Sequence, residues 1–496
     1  MKTIKLSQRK KEVFITIITN LCLQLVTAVC GFILPPLIVK TFGSSVNGMV
    51  SSISQFISYL NIVEAGVGGA SIAALYKPLA EKKTIQINEI LSATAKFYNR
   101  SGILFTILVL ILGFVYPLII GKQVDRTQSA LMVLILGITG AAEFFLIGKY
   151  RVLLTADRKI YILSIVQMLA LILSTTLASI LIKTGQNILI VKLAAALLFL
   201  FRYVFLSLFV HKHYPDVDYH TTPNTKAISQ SKNVLVHQIG VLVVFNSPLI
   251  IITIFCTLKE ASIYTIYAMV FTAINSLLGA FSNGMQAFFG ESLVSESIER
   301  TQKVFIKFET VFFAVEGWVY TMAYLLIMPF MHLYTAQMTD AQYIRPKIAV
   351  MFVCFGILNN LRNPSSQLIN AAGHFKKTQF RCIIEVIINL ICSCLFTIIF
   401  GFQGVIAGSI CSGFYRAIDM IMYTRKYILN SMKLCFTTIV KIFILLFIYV
   451  VIAFLVSFIN FDFSSYLRWV LFACVYGVLV AIPLILFLFF YKKILK

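Results

Sequence analysis

Apolar runs of about 20 residues recur from one end of this chain to the other, and each is long enough to cross ~30 Å of hydrocarbon as an α-helix. A backbone in lipid must satisfy its own hydrogen bonds, which leaves helices or a closed barrel as the spanning structures. The alternating strands of a barrel are absent from the sequence. The predicted fold is therefore an all-α polytopic membrane protein of about 14 transmembrane helices. Their approximate spans are 13–38, 47–75, 97–120, 129–154, 160–182, 188–210, 233–257, 262–290, 305–331, 346–371, 380–400, 404–424, 436–459 and 466–491. Composition agrees: 59% of residues are hydrophobic and 12% charged, against ~45–50% apolar content in soluble domains.

A net charge of +23 would suggest a nucleic-acid partner in a soluble protein. Its placement argues for topology instead. With the N-terminus inside, about 30 Lys and Arg fall on the cytoplasmic side and about 8 on the other. Both termini are expected in the cytoplasm, and nucleic acid is not expected as a partner. The basic N-terminus leads into an apolar segment longer than the ~7–15 residues of a signal peptide, with no clear small-residue cleavage site, so it reads as the first membrane helix. All ten cysteines fall in or at the edge of predicted helices without a C-x-x-C motif, which points to small buried apolar residues rather than disulfides or zinc ligands.

The longest polar connection, 212–232, contains Pro215, Pro223 and many Thr, Asn and Ser residues, and reads as a flexible cytoplasmic linker. His211, His213, Asp216, Asp218 and His220 have no spacing that fixes a coordination geometry, so no metal is expected there. On either side of the linker, landmarks repeat at one offset. Pro35-Pro36 is matched by Pro248, LLTADRK (153–159) by LINAAGHFKK (368–377), and Arg202 by Arg416, each 213–215 residues later. This argues for a six-plus-six parallel repeat. The expected organisation is an N-terminal six-helix lobe (1–211), the linker (212–232), a C-terminal six-helix lobe (233–427) and two additional helices (428–496).

An arginine at the bilayer centre costs roughly 2.5–3.5 kcal/mol even on the lenient insertion scale, so such residues normally face a polar cavity. Arg202 and Arg416 each follow or adjoin aromatic residues in a predicted helix, and each is followed nine and ten positions later by a polar pair, His211-Lys212 and Arg425-Lys426. One in each half suggests a cationic interior and an anionic cargo. Arg202 has no acidic residue three or four positions away, so its charge is expected to be less neutralised than that of Arg416, which can pair with Asp419. Arg362 precedes Pro364, which should break the tenth helix. Glu64, beside Gly66, Gly68 and Gly69, together with Glu143, Glu316 and Glu385, are intramembrane carboxylates that can carry a coupling proton or sodium ion or simply bond within a helix interface. Glu64, Glu143 and Asp419 are the candidates for coupling or gating. No H-E-x-x-H, G-x-x-x-x-G-K-[ST] or G-x-S-x-G motif is present, so no catalytic residue, metal or organic cofactor is expected.

Three segments carry a family resemblance: LQLVTAVCGFILPPLIVKTFGSSVNGMVSSISQFISYLNIVEAGVGGASIAALYKPLAEKK, RVLLTADRKIYI and NPSSQLINAAGHFKKTQFRCIIEVIINL. They resemble bacterial polysaccharide-export flippases of the multidrug/oligosaccharidyl-lipid/polysaccharide exporter superfamily, over nearly the whole chain. The resemblance implies two six-helix lobes in a V, alternating access in the bacterial cytoplasmic membrane, and a cargo of oligosaccharide on undecaprenyl pyrophosphate. Partners implied are that lipid-linked oligosaccharide, membrane lipids, and a polysaccharide polymerase and glycosyltransferases of the same pathway. Arg202, Arg362 and Arg416 would bind the pyrophosphate, because guanidinium groups recognise phosphate bidentately. The lipid II flippases resemble the chain in architecture but carry basic residues facing the cavity in their first two helices, where this chain has only Glu64 and the terminal Lys40. The alternatives are a cation-coupled multidrug and toxin exporter, a lipid II flippase, or a membrane enzyme of polysaccharide assembly.

Overall fold

Hydrocarbon forces every backbone amide to find a partner within the chain, and among the described residues the answer is helices without a single strand. The computed structural model describes residues 2–64, 67–225, 227–228, 232–457 and 465–494. Its helices in the N-terminal part are α1 (Lys2–Phe42), α2 (Ser44–Leu60), α3 (Val67–Glu81), α4 (Thr84–Ile120), α5 (Arg126–Ala142), α6 (Gly148–Ala156), α7 (Ile160–Lys183), α8 (Ile188–Phe199), α9 (Phe201–His213) and α10 (Lys232–Phe255). There follow α11 (Leu258–Ser295), α12 (Ile298–Tyr334), α13 (Pro346–Leu361), α14 (Asn363–Ala371), α15 (Phe375–Phe400), α16 (Phe402–Tyr427), α17 (Lys433–Ser457) and α18 (Tyr466–Ile494).

Twelve described helical segments are long and apolar enough to cross a membrane, and α2 with α3 makes a thirteenth as a span bent by 43°. The remaining predicted span, 346–371, is present as α13 and α14, broken at Arg362 just before Pro364. Helix starts recur 214 residues apart at Ser44 and Leu258, Thr84 and Ile298, and Ile188 and Phe402.

Besides the turn at Leu200 that separates α8 from α9, three of the described spans are interrupted. The α2–α3 span passes through a tight 3-10 turn at Asn61–Glu64, and Ala65 and Gly66 lie outside the described residues. The α5–α6 span carries a π-helical turn at Glu143–Ile147. The third interruption is the break at Arg362. Irregular backbone at membrane depth survives only where protein or a watery cavity satisfies it, and π turns concentrate at functional sites. Glu64, Glu143 and Arg362 sit on these three interruptions.

Contacts divide the chain into two units, Met1–Ser262 and Ile263–Lys496. That division falls one helix later than the linker at 212–232, because α10 and the start of α11 pack on the small polar face of α2. Asn47 Nδ2 donates to Ser262 Oγ at 2.8 Å, Thr253 Oγ1 donates to Ser52 Oγ at 2.7 Å, and Gly48 lies so close to the Leu258 carbonyl that no Cβ fits. The segment after α9 is not the free linker expected from its composition. Asn88 donates to the Asp216 carbonyl at 3.0 Å, Ser92 to the Thr221 carbonyl at 2.6 Å, and the Asn224 amide to the Glu89 carbonyl at 3.2 Å, so residues 214–225 are strapped along α4. Residues 229–231 of that linker lie outside the described residues.

In the second unit, α15 and α16 form a hairpin through Gly401, whose φ of +62° suits glycine. Gly404 and Gly408 face the backbone of Phe396 and Ser393, a small-xxx-small contact that lets the two helices touch. The central helix is α12, which packs against α13, α17 and α18. Trp318 Nε1 donates to the Gly477 carbonyl at 3.0 Å and Tyr449 Oη to the Ala314 carbonyl at 2.7 Å. A buried ionic group fastens α16 and α17 to α12: Glu309 accepts from Arg425, from Thr438 at 3.0 Å and from Lys441 at 2.9 Å. The cysteines are all free; only Cys30 and Cys382 are buried, Cys256 lies in the turn after α10, and several others sit on the exposed apolar faces.

Candidate functional site

Each unit holds a chain of intramembrane charges, and the second holds the Glu309 group described above in addition. In the first, Arg151 on α6 donates to Glu64 and to Tyr98 Oη at 3.2 Å, and its other Nη lies 2.8 Å from Glu143 Oε1. Tyr98 Oη itself donates to Glu64 at 2.7 Å. Arg202 Nη1 approaches the second Glu143 oxygen at 3.4 Å, with its guanidinium over the Phe199 ring. The order is Glu64, Arg151, Glu143, Arg202, two charges of each sign. Arg202 thus has no acidic partner on its own helix, as its spacing implies; its counter-ion comes from the π turn of a neighbouring span, which spacing along α9 does not reveal.

A cavity of about 340 Å³ lies beside this chain, lined by Asn61, Glu64, Gly68, Gly69, Gln238 and Leu242 among others. Glu64 thus joins the ionic chain on one side and borders a partly polar space on the other. A Cβ on Gly68 would meet the Tyr98 hydroxyl at 3.1 Å and the Glu64 carboxylate at 3.4 Å, whereas Gly69 opens on empty space.

The second unit carries a longer chain. Glu385 on α15 bridges Arg362, with which it forms a direct pair, and Arg416, whose Nε is 3.1 Å away. Arg416 Nη1 donates to Asp419 at 3.2 Å, the three-residue pair expected from spacing, and Asp419 also pairs with Arg381. Arg362 donates further to Asn359 Oδ1 at 2.7 Å. Three arginines share two carboxylates, an excess of one positive charge. Arg416 and Glu385 are deeply buried, whereas the Arg381 side chain is 34% exposed and brings the chain to the surface of the unit. The repeat-related arginines are thus paired differently: Arg202 draws its carboxylate from the span four of its half, Arg416 from its own helix and from α15.

Several members escaped the sequence reading. Arg151 and Arg381 look like the basic residues that close a span on the inner side, and Arg425 like one of a terminal polar pair. Glu309 lies near the start of its span. The usable signal was arithmetic: each intramembrane carboxylate needs a cation, and Arg202, Arg362 and Arg416 are too few for Glu64, Glu143, Glu309, Glu385 and Asp419. Glu316 is the exception, buried on α12 with neither oxygen hydrogen-bonded. Among the described residues no group of three or more His, Cys, Asp or Glu side chains is arranged to hold a metal ion.

No protein-family model and no curated protein matches the chain. Solved structures do. One is the lipid II flippase MurJ in an inward closed conformation, at 13% identity and a TM-score of 0.65, covering 97% of this chain and 100% of that one. Another is an inward-facing multidrug resistance MATE family transporter of the MOP superfamily, at 15% identity and a TM-score of 0.58, covering 83% and 97%. A third is a variant of the Vibrio cholerae MATE transporter VcmN, at 15% identity and 0.54, covering 86% and 97%. The likeness is one of fold: the chain is a polytopic helical membrane protein built on the architecture that these transporters and the flippase share.

Proposed function

We propose that the chain is a flippase that moves oligosaccharide linked to undecaprenyl pyrophosphate across the bacterial cytoplasmic membrane by alternating access, for surface polysaccharide assembly. The observation that carries this reading is the second unit's ionic chain, in which Arg362, Arg381 and Arg416 outnumber Glu385 and Asp419. A pyrophosphate can compete for these guanidinium groups, since arginine binds phosphate and carboxylate with the same planar fork. The match to a lipid II flippase over essentially the whole chain supports a lipid-linked cargo. The first unit, with balanced charge and a cavity beside Glu64, is the better place for a coupling proton or sodium ion, with Glu64 and Glu143 as its candidate carriers; Asp419, the third candidate, lies in the second unit. Glycosyltransferases and a polymerase would supply and consume the cargo, and both termini would be cytoplasmic.

A second reading, cation-coupled export of drugs, draws on the carboxylate at the cavity beside Glu64 and on the MATE matches. The two differ in the sign of the cargo. The test is flipping of lipid-linked oligosaccharide in proteoliposomes by alanine and lysine variants of Arg202, Arg362 and Arg416, normalised to folded protein. Lysine should weaken flipping because it keeps charge but loses the fork, and alanine should nearly abolish it. Normal flipping by well-folded alanine variants overturns the cationic mechanism.

A further inference from the structure

The 38-residue α11 exposes two unlike sides at membrane depth. On one, Leu277 and Phe281 are exposed and apolar, as lipid requires. On the other, Thr272, Ser276, Asn283 and Gln286 are exposed and polar. With Gly279 and Gly290 these fall within an arc of about 80° at ~100° per residue, and from Thr272 to Gly290 they run about 27 Å. The stripe is thus nearly as long as the ~30 Å hydrocarbon core is thick. A Cβ on either glycine would meet nothing, and no Asp, Glu, Lys or Arg occurs between Ala261 and Gly290. One flank of the helix is pinned to α12–α14. Asn275 Oδ1 accepts from Tyr320 at 2.7 Å and from Asn360 at 2.6 Å, and Ser282 donates to Asn363 at 3.1 Å. Behind the stripe, Gln367 is 6% exposed; its Nε2 donates to Asn283 Oδ1 at 3.1 Å, while its Oε1 is buried without a hydrogen-bond partner.

We propose that this stripe binds the glycan part of the cargo, through neutral hydrogen bonds to sugar hydroxyl and acetamido groups; this rests on the flippase reading above. Side-chain amides and hydroxyls facing hydrocarbon would lose their hydrogen bonds, so this side of α11 faces water or a polar ligand. Without charge, the stripe has no preference for an anion or a cation, and the pyrophosphate is left to the arginines. Asn and Gln each offer a carbonyl acceptor and two N–H donors, and a sugar hydroxyl is both donor and acceptor. The open glycines let a sugar ring approach the backbone closely. Gln367 Oε1 supplies a further acceptor, for a bridging water or a hydroxyl beside Asn283. A site built to hydrogen-bond hydroxyls rejects analogues that lack them, because its own polar groups are then left unpaired. The stripe reads the sugar while the arginines read the charge.

The test uses the full-length protein in lipid nanodiscs. The probes are lipid-linked oligosaccharide extracted from cells that make the protein and, as the sugar-free control, undecaprenyl pyrophosphate. Single variants Ser276→Cys, Gln286→Cys, Leu277→Cys and Phe281→Cys are alkylated with a membrane-impermeant reagent and read by peptide mass spectrometry. Ser276→Cys and Gln286→Cys should label from water, and Leu277→Cys and Phe281→Cys should not. The oligosaccharide lipid should slow labelling at positions 276 and 286, whereas the sugar-free lipid should leave it unchanged. In equilibrium binding, Asn283→Leu should weaken the oligosaccharide lipid about two- to tenfold and leave the sugar-free lipid unchanged. Gly279→Leu, which fills the stripe and keeps every amide, should do the same and guards against a folding effect at Asn283. Equal losses for both lipids, protection by both alike or by neither, or no labelling of the stripe from water overturns the glycan site. These readouts need binding alone. A wild-type protein with sugar-dependent protection that flips nothing therefore refutes the flippase reading and leaves the site standing.

Discussion

Replacing Glu385 with Gln is the sharpest perturbation the second unit offers. The Glu385 side chain is 6% exposed and shared between Arg362 and Arg416, the latter 3% exposed. The substitution leaves three guanidinium groups facing one carboxylate, so the charge excess rises from one to two in a buried setting. Removing one partner of a buried pair typically costs about 3–5 kcal/mol. Arg416→Met should be milder, about 1–3 kcal/mol, because Glu385 keeps Arg362 and Asp419 keeps Arg381. The double variant restores the original excess of one, so its loss should fall short of the sum of the singles by roughly 0.5–3 kcal/mol. The assay is thermal unfolding of purified protein in detergent, with folded yield measured alongside. A larger loss for Arg416→Met than for Glu385→Gln, or strict additivity, would refute the assignment of Glu385 as the shared counter-ion.

In the first unit, Tyr98→Phe removes the hydroxyl that bonds Glu64 and Arg151 and should cost about 0.5–1.5 kcal/mol in the same unfolding assay. If ions drive transport, a neutral substitution at one of Glu64, Glu143 or Asp419 should abolish ion-dependent flipping in a folded protein, with Glu64 the first candidate; unchanged ion dependence in all three removes coupling from them. His374, in the turn before α15, is held below the usual histidine range by burial and by Lys377. Its contribution is present above the unfolded value of about 6.5 and is lost as pH falls from there toward the folded value, so proteolysis at this turn should rise on acidification, and His374→Gln should flatten that rise. Reporter fusions at positions 122 and 492 should report opposite sides of the membrane; both on one side would contradict the even helix count.

The helical class was legible because the spans are long and nearly charge-free, and the repeat was legible because Arg202 and Arg416 stand at one offset with two other landmarks. The break before Pro364 also followed from chemistry, as proline removes an amide and clashes with the preceding turn. The ionic chains were only half visible. Spacing along one helix reveals Arg416–Asp419 but not Arg202–Glu143 or Arg381–Asp419, which depend on how separate helices are rotated against each other. The close α15–α16 contact had a signal, Gly404 and Gly408 four apart, that helix counting passes over. The strap at 214–225 misled because its Pro, Thr and Asn content is that of a free linker, whereas its backbone carbonyls are taken by Asn88 and Ser92.

The proposed cargo is anionic and lipid-linked, and transport by the wild-type protein tests that proposal most directly. Proteoliposomes would receive one oligosaccharide carried either on undecaprenyl pyrophosphate or on an uncharged polyprenyl anchor, with a cationic dye in a parallel set. The expected result is protein-dependent translocation of the pyrophosphate-linked form, little of the uncharged form, and no export of the dye through the same path. Rapid dye export with no acceleration of the lipid-linked oligosaccharide over protein-free vesicles would contradict it.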